Sequence, residues 1–127
     1  MLAAVRDDPV DLLLLSPFAE LVGHPLADAV AVPRIGVRLQ PISATADHPP
    51  ALLGAWTAGR YGNRVAARVS EALVDALYGK AVNHFRAQLG LPAAAARSLR
   101  RRRTEAGWPI LYGYSPAVLP RPADWRS

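Results

Sequence analysis

The sequence contains no cysteine, a single methionine and a single lysine among its 127 residues. The absence of cysteine excludes a disulfide scaffold, thiolate metal sites and a cysteine nucleophile. No apolar run approaches 18 residues, since runs such as residues 12–15 cover only a strand's length, and no transmembrane helix is predicted. No cationic and apolar leader with a small-residue cleavage site is visible either, which favours a cytoplasmic protein.

The formal net charge of +5 is concentrated in one short segment. A third of the basic residues lie within seven positions, and without them the chain is neutral: Arg97, Arg100, Arg101, Arg102 and Arg103. Three interpretations are open. A solvated helix face is the commonest fate of such a run, peripheral contact with anionic lipid head groups is the second, and nucleic acid is unlikely because no recognition motif accompanies the charges.

The first forty residues predict a strand, a helix and a second strand. Residues 10–15 (VDLLLL) form a short, mostly apolar run, typical of a parallel strand covered on both faces. Ser16 and Pro17 suit a helix start, with Ser16 as the N-cap, and the helix is predicted to residue 30 with a break or bend near His24. Residues 34–39 form the second strand, and the spacing is that of a βαβ unit with a parallel pair.

The rest of the chain predicts two more helices and a third strand. A long helix is predicted over residues 63–89, with a buried apolar stripe that includes Val65, Val69, Leu73 and Leu77. A shorter helix follows over residues 93–106, a strand over 110–114, and an extended proline-rich tail from residue 117. The fold class is therefore α/β, a partial Rossmann-like domain with about three parallel strands and a long helix. A doubly wound sheet needs more strands, so residues 1–127 are expected to form one incomplete domain.

Several segments resemble those of a known enzyme group. The stretch VNHFRAQLGLP over residues 82–92 resembles a conserved-looking "vN-x-x-R-x-x-LGLP" segment of the sterol glucosyltransferases and of the enzymes that glycosylate macrolide and glycopeptide natural products. PILYGYSPAVLPRPADW over residues 109–125 is similar to that group's "P-x-L-Y-x-x-SP-x-V-x-P-x-P-x-DW" segment. QPISAT over residues 40–45 is similar to its "P-x-x-PT" loop, with Ala44 where Pro is common.

The resemblance implies a glycosyltransferase of the GT-B type, in which two Rossmann-like domains face each other across the active site. This chain resembles the later, C-terminal portion of the N-terminal acceptor-binding domain. The group's opening Gly-rich loop, which usually holds the general base, and its donor-binding domain have no counterpart in the printed sequence. Ser16 stands where one branch of the group has an orienting Asp, so no catalytic residue is carried over, and Asp124 and Trp125 receive no chemical role.

Candidate acceptor-binding residues lie at the predicted strand ends and beside the proline-rich loop, residues 40–50. Ligands in open α/β sheets bind outside the carboxyl ends of the strands. The candidates are Ser16, Phe18, His24, Gln40, Trp56, Tyr61 and Ser115. Five of them have a structural alternative: capping for Ser16 and Ser115, a structural or solvated role for His24, and loop-to-core packing for Trp56 and Tyr61. No metal is expected, because the histidines have no partner at ligand spacing.

The resemblance implies the acceptor-binding portion of an enzyme that transfers a hexosyl group from a nucleotide sugar to a hydroxyl of a lipid, sterol or natural product. No cofactor is expected on this chain, since the nucleotide sugar would bind the other domain. The isolated chain is predicted to be inactive. Two alternatives remain at this point: a non-enzymatic binding module, completed or not by a donor-domain polypeptide, and a truncated fragment without activity.

Overall fold

The computed structural model describes residues 10–50 and 59–125, and it confirms an α/β fold with three parallel strands and a long helix. The elements in chain order are β1 (Leu13–Leu15), α1 (Glu20–Val30), β2 (Arg34–Arg38), α2 (Gly59–Gln88), α3 (Ala96–Glu105) and β3 (Ile110–Tyr112). All three strands are shorter than the sequence predicts. The break predicted near His24 is absent, because α1 runs through Pro25 to Val30 and ends at Ala31, whose φ of 54° is left-handed.

The strands form one sheet in the order β1-β2-β3, and both pairings are parallel. Leu15 lies opposite Gly36, and Gly36 lies opposite Ile110, so these three residues share one face. The carboxyl ends of all three strands therefore meet at one edge of the sheet. The segments that follow them converge there.

Helix α1 covers the face of the sheet that carries Leu15 and Gly36. Leu15, Leu26 and Ala27 are buried where the helix and the sheet meet. The absence of a side chain at Gly36 makes room for the indole of Trp108, since a Cβ there would lie 2.9 Å from the ring. Trp108 is held in place because its Nε1 donates a hydrogen bond of 3.1 Å to the carbonyl of Arg34.

The opposite face of the sheet is exposed within the described part of the chain. Leu14 pairs laterally with Ile35, and Val37 with Leu111, so these four residues share that face. Leu14 and Leu111 are both exposed. The prediction that β1 is covered on both faces is therefore wrong for the described residues.

The apolar stripe of α2 is also exposed, which corrects the prediction that it is buried. Val65, Val69, Leu73 and Leu77 all present more than a third of their surface to solvent. The buried residues of this helix are instead Asn63, Ala67 and Arg86. Periodicity correctly shows which residues share a face, but no described element covers that face.

Polar contacts attach α2 to its neighbours. The buried Arg86 donates from Nε to the carbonyl of Pro92 at 3.0 Å and lies 3.5 Å from a carboxylate oxygen of Asp28 on α1. Arg100 of α3 pairs with Glu71 at 2.7 Å and also with Asp75, which ties α3 to the middle of α2. The tail predicted as extended instead folds into turns at residues 116–118 and 123–124.

Candidate functional site

A groove of about 370 Å³ opens at the carboxyl edge of the sheet. Its walls come from the turn after β1 and from the end of β2: Ser16, Pro17, Phe18, Val37, Leu39 and Gln40. The groove is mainly apolar, because the large side chains of Phe18 and Leu39 are exposed there and no described residue covers them. This is the edge at which open parallel sheets bind their ligands.

Two polar side chains on the groove are available to a ligand. Ser16 and Gln40 are exposed, and neither makes a hydrogen bond within the described part of the chain through its side chain. The predicted capping role of Ser16 is not what the structure shows, since its backbone carbonyl accepts from Glu20 N–H at 3.0 Å and α1 begins only at Glu20. The groove thus combines an apolar wall with a free hydroxyl and a free amide.

The other predicted site residues lie elsewhere. Ser115 follows β3, but its Oγ accepts a hydrogen bond of 3.1 Å from Ala117 N–H, the turn-capping alternative. Tyr61 is exposed on the first turns of α2 and does not line the groove. Trp56 falls outside the described residues.

His24 is buried in the layer between α1 and the sheet and does not line the groove. Only 4% of its surface is exposed, its ring meets Trp108 edge to face at 4.5 Å, and neither ring nitrogen has a hydrogen-bond partner among the described residues. Burial lowers the pKa of His24 from 6.5 to about 3, and the nearby charges of Arg103, Arg34 and Arg38 act in the same direction. His24 is therefore held neutral, as a core residue.

Sequence reasoning missed a network of polar side chains behind the groove. Arg38, at the end of β2, binds both carboxylate oxygens of Glu20 at 2.9–3.1 Å. Arg38 also donates to the hydroxyl of Ser43, which is itself in contact with the phenol oxygen of Tyr112. Burial raises the pKa of Glu20 despite the opposing effect of Arg38. The available signal was a charged residue inside an apolar strand, since a half-buried charge needs a partner.

A second set of polar contacts joins the proline-rich loop to the end of the chain. Asp124 accepts hydrogen bonds from Thr45 Oγ1 at 2.5 Å and from Ala46 N–H at 2.9 Å. The hydrogen bond from Thr45 lowers the pKa of Asp124, with further contributions from Ala46 and Arg64. Trp125 stacks on Tyr112 at a centroid distance of 4.2 Å.

The arginine segment on α3 is only partly available to a partner. Arg100 is engaged with α2, and burial lowers the pKa of Arg103, which lies near Glu20. Arg97, Arg101 and Arg102 are exposed, although Arg101 lies 3.5 Å from Glu105. Contact of these three with anionic head groups stays a prediction.

The described residues offer no metal centre and no membrane span. Among them, no three histidine, aspartate or glutamate side chains come together as a metal site would require. None of the helices in residues 10–50 and 59–125 has the length and apolar character needed to cross a bilayer. The groove lining likewise includes neither a carboxylate nor an imidazole.

Comparison with known proteins supports a relationship to glycosyltransferases. No protein-family model matches the chain. The chain is 30% identical over 122 residues to a sterol 3-beta-glucosyltransferase of Neurospora crassa, an alignment that covers 91% of this chain. It spans only 7% of the length of that relative. The relationship is distant, and together with the parallel α/β sheet it indicates a glycosyltransferase-like chain.

Proposed function

We propose that this chain is the acceptor-binding portion of a glycosyltransferase that transfers a hexosyl group from a nucleotide sugar to a hydroxyl of a lipid, sterol or natural product. The observation that carries the proposal is the apolar groove at the carboxyl edge of the sheet. Its volume of about 370 Å³ lies within the usual range for small-molecule sites. The distant sterol glucosyltransferase relative favours the same class of ligand.

The groove suits an acceptor that is mostly apolar and carries one hydroxyl. The exposed side chains of Phe18 and Leu39 would bury the apolar body of such a molecule, which is favourable by about 25 cal/mol for each Å² removed from water. Ser16 and Gln40 would hydrogen-bond its hydroxyl and thereby orient it. In this proposal the nucleotide sugar binds outside the groove, and the absence of a cationic side chain among the described lining residues agrees with that.

Binding of a fluorescent sterol tests the groove directly. Purified chain is titrated with dehydroergosterol, and energy transfer from tryptophan reports the bound fraction. Leu39→Asp should weaken binding by about tenfold or more, because it places a carboxylate on the apolar wall. Leu77→Asp is the matched control, since Leu77 on α2 is 74% exposed and Leu39 is 72% exposed.

The proposal fails if wild-type chain shows no saturable binding, or if the two aspartate variants lose affinity equally. A transfer assay with radiolabelled UDP-glucose and the same acceptor separates binding from catalysis. We expect no acceptor-dependent transfer by this chain alone, because the described lining of the groove includes no carboxylate or imidazole to serve as a base. A binding module without catalytic activity would give the same result, and only transfer after addition of a donor-binding polypeptide would separate it from the proposed function.

A further inference from the structure

Residues 44–47 and 123–125 form a set of contacts that we call the clasp. Asp124 accepts from Thr45 Oγ1 and Ala46 N–H, while in the reverse direction Asp47 accepts from Ala123 N–H at 2.9 Å. The indole Nε1 of Trp125 donates to the carbonyl of Ala44 at 3.3 Å. The two segments are 76–81 positions apart in the sequence, and each side supplies both donors and acceptors.

Two clasp residues, Thr45 and Ala46, are buried although they belong to no helix or strand, whereas Ala44, Asp47, Ala123 and Asp124 are exposed. Thr45 and Ala46 are 2% and 1% exposed, less than most residues of the sheet. Asn63 on α2 is buried beneath them and donates to the carbonyl of Ala46 at 3.2 Å. Arg64 of the same helix lies 3.5 Å from Asp124. A carboxylate at position 124 therefore satisfies buried donors that would otherwise remain without partners.

The clasp is connected to the groove through the end of β2. Trp125 stacks on Tyr112, and Tyr112 meets Ser43, which is bound by Arg38. Arg38 directly precedes Leu39, which together with the following Gln40 forms one wall of the groove. The segment that follows this wall is thus fixed at its start by the Arg38 network and at its far end by the clasp.

We propose that Asp124 is a positioning residue that holds residues 40–47 so that Leu39 and Gln40 keep the groove in its binding shape. The proposal rests on the proposed function, because it concerns affinity for the acceptor. It assigns a role to the Asp-Trp pair at the end of the chain and to the threonine of the loop. Those residues act through the groove wall and do not touch the acceptor themselves.

A merely structural clasp would affect only the stability of the fold, and the test is designed to separate the two roles. Asp124→Asn keeps the size of the side chain and removes its charge. Asp28→Asn is the matched control, since Asp28 pairs with Arg34 at 2.7 Å and with Arg86 at 3.5 Å, away from the groove lining. Both variants lose ion pairs, but we expect only Asp124→Asn to loosen the groove wall.

The full chain and its variants are titrated with dehydroergosterol, and each variant's unfolding midpoint is measured in urea. We expect Asp124→Asn to weaken probe binding by about tenfold while it remains folded, and Asp28→Asn to leave the dissociation constant unchanged. Hydrogen exchange should accelerate in Asp124→Asn at the amides of Ala46 and Asp47, whose N–H groups bond to Asp124 and to Thr45 Oγ1.

A second pair of variants keeps the test decisive if Asp124→Asn is poorly folded. Thr45→Ser retains the hydroxyl and should retain affinity, whereas Thr45→Val has nearly the same shape and should lose it. Unchanged affinity in both Asp124→Asn and Thr45→Val, with wild-type binding intact, would overturn the positioning role alone. Absence of wild-type binding would instead refute the proposed function and, with it, the role of the clasp in that function.

Discussion

The clasp and the outer side of α2 differ in how far their side chains find partners within the described part of the chain. At the clasp, Thr45 and Ala46 are buried without regular structure, and the hydroxyl of Thr45 and the N–H of Ala46 both donate to Asp124. Along α2, a regular helix leaves an apolar stripe, centred on Leu73, open to solvent. Regular secondary structure is therefore not what determines burial here.

The difference shows which interactions this chain completes by itself. Two polar networks, that of Arg38 and the clasp, close within the described residues. Two apolar surfaces are not covered by any described element, since both the stripe of α2 and the sheet face that carries Leu14 and Leu111 are exposed. The described fold consequently depends on a small core between α1 and the sheet, and disturbances there should cost more than changes on the bare surfaces.

The largest expected effect comes from His24, a buried polar residue whose ring nitrogens have no hydrogen-bond partner among the described residues. Its pKa is about 3 in the folded chain and 6.5 when unperturbed, so the unfolded state binds a proton more readily. Stability is fully present above pH 6.5 and falls as the pH decreases toward 3. The loss should be about 1.4 kcal/mol per pH unit, or about 3 kcal/mol between pH 6 and 4.

His24→Phe is the control, because it keeps an aromatic ring against Trp108 and removes the titrating group. Urea unfolding of both proteins at pH 4, 5, 6 and 7 gives the free energy of unfolding for each. The account requires that the free energy of unfolding of the wild type falls with decreasing pH over this range and that His24→Phe lacks this fall. Parallel curves for the two proteins would show that His24 is not held neutral by burial.

The next largest effect is expected from an added methyl group on the covered side of the sheet. In Gly36→Ala the new Cβ would lie 2.9 Å from the ring of Trp108, and overpacking of this kind costs about 1–3 kcal/mol. Gly79→Ala on α2 is the matched control, because its Cβ would meet nothing within 4 Å. That change should stabilise the chain by about 0.5–1 kcal/mol through the better helix propensity of alanine.

Thermal unfolding of the two variants, measured by circular dichroism, compares the covered and the bare surfaces directly. Opposite shifts in Tm are the expected result. Equal destabilisation would mean that α2 is packed around Gly79 and that its outer side is not bare.

The smallest effect is expected on the stripe itself. Leu73→Asn should change the free energy of unfolding by no more than about 0.5 kcal/mol, because Leu73 is already exposed in the described structure. Sedimentation of wild type and variant would show whether the stripe causes self-association, which the asparagine should reduce. A loss of 2 kcal/mol or more would contradict its exposure.

Local sequence patterns were sufficient for much of the fold. Prolines and apolar runs placed β1, α1 and β2, and the apolar period placed α2 to within a few residues at its start and one at its end. Burial of the stripe was predicted wrongly, because the period of Leu73 and its neighbours shows only that they share a face. Whether another element covers that face is not a local property.

Only part of the candidate site was predicted, again because sequence patterns carry local information. Ser16 and Gln40 were found because they follow predicted parallel strands, whose carboxyl ends share one edge. His24 takes the buried role that the sequence left open beside acceptor binding, since a helical position alone does not show whether a side chain faces the sheet or the groove. The pairing of Thr45 with Asp124 was missed because 79 residues separate them and no local pattern links the two.

The most direct test of the central claim is a map of where an apolar acceptor binds. Both the groove and the stripe of α2 expose apolar side chains, so a sterol could in principle bind either surface. Amide chemical shifts of isotope-labelled chain during titration with dehydroergosterol distinguish them. The account predicts saturable shifts at Ser16, Phe18, Leu39 and Gln40, whereas shifts centred on Val69, Leu73 and Leu77 would contradict it.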